Sequence, residues 1–160
     1  MDATLQKVTW LMRRIAELAM FSMMGLTMLD VAGRYLFNFP VAGSVELTEL
    51  MMVAVIFSGI ALSSAARGHV TVDLIAMNLS GRVRWAQRIL GEGVSLSIML
   101  VLTVISWNKA HEVAEYADLT AVLLIPIAPA AYFMAVVLGI TTVFHLVQLV
   151  ATIRQGASHA

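Results

Sequence analysis

The chain has 160 residues, 60% of them hydrophobic and 12% charged, with a formal net charge of +0 and no cysteine. Soluble domains carry about 25% charged residues, so a mean hydropathy of +0.87 excludes a water-soluble globule and makes a bilayer the matching solvent. Neutral net charge offers no attraction for nucleic acid, and the missing thiols remove disulfides, thiol nucleophiles and cysteine metal sites.

In chain order, Lys7, Arg13 and Arg14 precede the first apolar run. No small-residue cleavage site closes that run, so it is read as an uncleaved first span over 15–37, stopped by the turn residues Asn38-Phe39-Pro40. A second span is expected over 45–66, ending at Arg67-Gly68-His69. The stretch 71–79 is apolar but too short to cross, and Ser80-Gly81 stops it. It is read as an interfacial helix in the headgroup layer, with a fold-back loop as the alternative. Arg67, His69, Asp73, Arg82, Arg84, Trp85 and Arg88 are its candidate anchors. A third span follows over 89–107, whose helix can begin as early as Arg82, and then the acidic connection from Lys109 to Asp118. A fourth span over 129–153 starts at Pro126 and Pro129, where the first-turn N–H groups lack helical partners anyway. The fold expected is therefore a single all-α integral membrane domain of four transmembrane helices plus one interfacial helix.

The basic residues set the orientation. The N-terminal segment, the middle loop with Arg67, Arg82, Arg84 and Arg88, and the tail with Arg154 are basic. The other two connections hold only Lys109 beside Glu112, Glu115 and Asp118, with Arg34 inside the first helix. Basic loops stay cytoplasmic, so both termini are expected inside.

Ionisable residues in a span are expensive and need a partner or a role. Asp30 and Arg34 are four apart, and Glu46 and Glu49 three apart, each pair on one helix face. One cluster is expected, in which Arg34 answers Asp30 and one or both glutamates. It serves as a structural clamp at a tight turn or, alternatively, as a proton or ion site. As the lone base, Arg34 is expected to be the costliest of the four to lose. Glu17 is read as a surface ion pair with Arg13 or Arg14, and Glu92 as a partner of Arg88. His145 lies in a span, but His69, His111 and His159 fall outside the spans, so no second haem ligand stands at its depth. No catalytic group, metal or cofactor is expected, since Ser44, Ser58, Ser63 and Ser64 lack an adjacent His base. Gly59, Ala61, Ser63, Gly91 and Gly93 let helix backbones approach closely in lipid. No Gly/Pro-broken span marks a solute site of its own.

The run Asp30-Val31-Ala32-Gly33-Arg34-Tyr35-Leu36-Phe37-Asn38-Phe39-Pro40, then Val45-Glu46-Leu47-Thr48-Glu49, Gly59-Ile60-Ala61 and His69-Val70-Thr71-Val72-Asp73, resembles the small membrane subunit, DctQ type, of the tripartite ATP-independent periplasmic (TRAP) transporters. The likeness is close from Asp30 to Leu79 and rests on layout beyond. It implies a scaffold in the bacterial inner membrane, in contact with lipid. Its partners would be a large membrane subunit carrying the sodium and substrate sites and a periplasmic binding protein that delivers an organic acid. The Met1 start and the Ala160 end are read as an unfused subunit. The alternative is a self-sufficient proton-coupled four-helix exporter using Glu17.

Overall fold

The computed structural model describes residues 3–65 and 81–157, with side chains described over 6–65 and 85–154. Four long helices occupy these residues: α1 (Ala3–Phe37), α2 (Ser44–Ala65), α3 (Gly81–Glu115) and α4 (Ala128–Ala157). All four are long and apolar enough to cross a membrane, and no strand occurs among the described residues. Arg67, His69, Asp73 and the stretch 71–79 lie outside the described residues, and the side chains of Arg82 and Arg84 do too.

At 1.5 Å per residue, α2 is ~33 Å long and matches a hydrocarbon core of ~30 Å, whereas α1 and α3 reach ~52 Å. The helices therefore overrun the expected spans. α1 begins twelve residues before Ile15 and carries Lys7, Arg13 and Arg14 on its own first turns. There Arg14 pairs with Glu17 at 3.0 Å and lies 5.5 Å over the Trp10 ring. α3 continues past Trp107 through most of the acidic connection. Lys109 and Glu112 pair at 3.1 Å one turn apart, and Ala110 and Val113 are buried, so packing extends the helix beyond its apolar run. It ends where Ala117 takes a left-handed backbone (φ 51°), with the Ala117 N–H on Ala114 O and the Asp118 N–H on Val113 O.

α4 is the central helix. Its Ala131, Ala135, Val137, Leu138, Thr141, Phe144 and His145 are buried, and it packs on both α3 and α2, while α1 packs on α2. Small residues make this possible: a Cβ added at Gly139 would already touch the Thr103 methyl group at 3.8 Å. Met12, Ala61 and Val137 join α1, α2 and α4 in one core, flanked by Val8, Ile15, Phe57 and Phe133. The α3–α4 seam is tied along its length. Trp85 Nε1 donates to Thr152 O at 3.1 Å, Thr103 and Thr142 hydroxyls meet at 2.9 Å, and Trp107 packs edge-on against Tyr132.

Candidate functional site

The polar residues gather at the end of the bundle where α1 leaves and α2 begins, and where α3 passes to α4. Asn38 turns the chain with a left-handed backbone (φ 51°), and the Phe39 N–H reaches back to Gly33 O at 3.0 Å. The return is so close that a Cβ at Gly33 would lie 2.6 Å from Phe39 O, so only glycine fits there. Asp30 fixes both sides of this turn. Its Oδ1 accepts the Val41 N–H at 2.9 Å, and its Oδ2 accepts Arg34 Nη2 at 2.8 Å. The Asp30 carboxylate is mostly enclosed and the Arg34 guanidinium mostly exposed, at 14% and 59%.

The expected four-residue cluster does not form as one group: Asp30 and Arg34 pair, and Glu46 and Glu49 each stand apart from them. Glu46 forms no ion pair with Arg34; its carboxylate bonds the loop between α3 and α4 instead. Oε1 accepts the Val122 N–H at 2.6 Å and Oε2 the Leu123 N–H at 2.9 Å. The loop is shaped to present those two amides. Thr120 N–H bonds Ile125 O, the Thr120 hydroxyl accepts the Ile125 N–H, and Leu124 takes a left-handed backbone (φ 54°). Leu123 then sits against Gly43, whose φ of 73° and contact distance both refuse a side chain. Glu49, three residues on, is exposed and has no hydrogen bond or ion pair among the described residues.

Glu92 also differs from expectation. It reaches across to α4, where its Oε2 lies 3.3 Å from Nδ1 of the fully buried His145, while Arg88 is exposed. The neighbouring helix offers an enclosed partner, whereas an exposed arginine near the start of a span can extend its long side chain to the headgroups without one. One turn further along α4, Gln148 Nε2 donates to Ser64 O on α2 at 3.1 Å. The sequence signal for this seam was present: Glu92, His145 and Gln148 are polar groups inside apolar runs, and such groups seek each other across helices. Trp85 is half-exposed at the opposite end and anchors through Thr152. Among the described residues, no three His, Asp or Glu side chains are grouped as metal ligands.

The arrangement holds helices at fixed offsets. Among the described residues, Asp30, Glu46 and Glu92 each meet a group on another part of the chain, while Glu17 and Glu112 pair within their own helices. A family model described as "Tripartite ATP-independent periplasmic transporters, DctQ component" matches residues 23–155. No individual curated protein matches the chain.

Proposed function

The chain belongs to the DctQ component family of the tripartite ATP-independent periplasmic transporters, and from that premise we propose that it acts as the scaffold of a two-part permease. It is thus the small membrane component of such a transporter. In this reading it holds the large membrane subunit in the bilayer and helps receive the periplasmic substrate-binding protein. Uptake of an organic acid, driven by sodium, runs through sites on the large subunit. The chain sits in the inner membrane with both termini cytoplasmic, because the basic residues gather in the first part of α1, at Arg67 and the first turns of α3, and at the end of α4.

One observation carries the scaffold role. Glu46, at the start of α2, accepts two backbone N–H groups of the α3–α4 loop. A charged group at that end thus ties the two halves of the chain together and is not presented to a solute. Such a clamp suits a part that keeps its shape while another part moves. Glu17, the residue an exporter would need, is engaged with Arg14 on the exposed side of α1.

Reconstitution tests this. The purified chain in liposomes, with a sodium gradient and the matching binding protein, is expected to take up no organic acid, and adding the large subunit is expected to restore uptake. Uptake by the chain alone, lost in Glu17→Gln, would overturn the scaffold reading.

A further inference from the structure

α2 makes contact with α1 on one side and α4 on the other, which leaves a single strip of its surface open. The exposed residues of this helix are Val45, Glu49, Met52, Ile56, Gly59 and Ser63. Their spacing runs four, three, four, three, four. That is the 3.5-residue period of a seam along which one helix packs into another.

Two features of the strip are ill suited to lipid. The first is Gly59, followed four residues later by Ser63. A helical glycine is less favourable than alanine, and a Cβ at Gly59 would meet nothing within 4 Å. No contact inside the chain accounts for the missing side chain. Small residues four apart are the pattern that lets the backbone of a second helix come close in a bilayer. The second is Glu49, an acid five residues into an apolar helix. Its neighbour Glu46 is answered by the α3–α4 loop, but Glu49 has no donor among the described residues. An exposed carboxylate on the apolar face of a spanning helix is costly without a partner, and here the partner would come from outside the chain.

Gly25 on α1 and Gly91 and Gly93 on α3 also meet nothing within 4 Å, and Ser97 follows Gly93 by four residues, but only the α2 strip sets such residues on one face with a carboxylate that has no donor among the described residues. α1 presents Leu18, Phe21, Met24, Met28 and Leu29 to its surroundings, a surface matched to acyl chains. On α3 the exposed Ser97 hydroxyl is already satisfied by Gly93 O at 2.8 Å.

We infer that the α2 strip is the surface on which a transmembrane helix of the large membrane subunit packs, closely at Gly59 and Ser63, with a cationic or N–H donor side chain meeting Glu49. This rests on the two-subunit reading above and assigns the face of this chain that serves it. The partner helix is therefore one whose small or apolar residues repeat at the same period, with an Arg or Lys about three turns from the point of closest approach.

The test uses the full chain co-expressed with its large subunit in bacterial membranes. A photo-reactive benzoylphenylalanine at Ile56 should cross-link to the large subunit, and the same group at Met28 on α1 should not. Gly59→Leu should leave the amount of small subunit in the membrane unchanged, because a Cβ there enters open space on an exposed face of its own chain, yet reduce the large subunit recovered with it. Glu49→Leu should reduce that recovery by roughly tenfold or more, as expected when one member of an enclosed charged pair is removed. Full recovery with both variants, or equal cross-linking from Met28, would overturn the assignment while leaving the two-subunit reading intact. A cross-link from Ile56 to a second copy of this chain would replace it with a self-association seam. Failure of the unaltered chain to recover any large subunit would overturn the two-subunit reading and this inference with it.

Discussion

Gly33→Ala isolates the tightest backbone approach in the chain. The new Cβ would stand 2.6 Å from Phe39 O, so the carbonyl must retreat by most of an ångström to reach ordinary contact. It has little freedom to do so. Asn38 is held in a left-handed turn, the Phe39 N–H is bonded to Gly33 O, and Val41 is bonded to Asp30. Overpacking against a pinned neighbour costs about 1–3 kcal/mol, and loosening the Phe39 N–H bond adds up to about 1 kcal/mol. Alanine also recovers up to about 1 kcal/mol of helix propensity. The last term is removed by comparison with Gly25→Ala in the same helix, where a Cβ meets nothing within 4 Å. The difference between the two variants should therefore be about 2–3 kcal/mol, a factor of roughly 30–150 in the unfolding equilibrium. Reversible unfolding in detergent micelles measures it. Two variants equal within about 0.5 kcal/mol would show that the turn relaxes freely and that the close approach does not constrain the residue.

The geometry at Asp30 reverses the order of damage expected from charge counting: Asp30→Ala should lower the thermal midpoint more than Arg34→Ala, because Asp30 holds two donors while Arg34 is exposed and can reach headgroups. Glu46→Gln leaves one good acceptor for two N–H groups, so hydrogen exchange at Val122 and Leu123 should accelerate, with the rest of α3 and α4 unchanged; unaltered exchange there would remove the clamp. A double-mutant cycle of Glu92→Ala and His145→Ala should give a coupling of about 0.6–1.7 kcal/mol, the range of interhelical hydrogen bonds in bilayers, and no coupling would mean that the 3.3 Å contact is incidental. For topology, single cysteines are informative because the chain has none. An impermeant thiol reagent on intact cells should label position 115 and spare 5 and 157, and labelling at 5 would invert the orientation.

Several of these features were legible in the sequence because they are local. Hydrophobic length alone located the four helices, since a bilayer imposes ~20 apolar residues on each crossing. Asp30 with Arg34, and Arg14 with Glu17, pair along a single helix, where a spacing of three or four residues fixes proximity. The turn at Asn38 was marked by its residue types. The run that carries the family resemblance centres on these same local features: Asp30, Gly33 and Arg34 stand at the turn.

What the sequence left open depended on which helices become neighbours. Glu46 finds its donors 76 and 77 residues away, on a loop whose shape is set by its own internal bonds, so the acid assigned to Arg34 by charge belongs instead to a backbone. Glu92 had a plausible base one turn back, and only the packing of α4 against α3 brought His145 closer. The extra helical turns at the end of α3 follow from the burial of Ala110 and Val113, which hydropathy does not foresee in a polar stretch. The open strip of α2 is the clearest case. A helix apolar all round carries no period that tells its inward from its outward side, because lipid and protein interior are equally apolar. The side left free was decided when α1 and α4 covered the others.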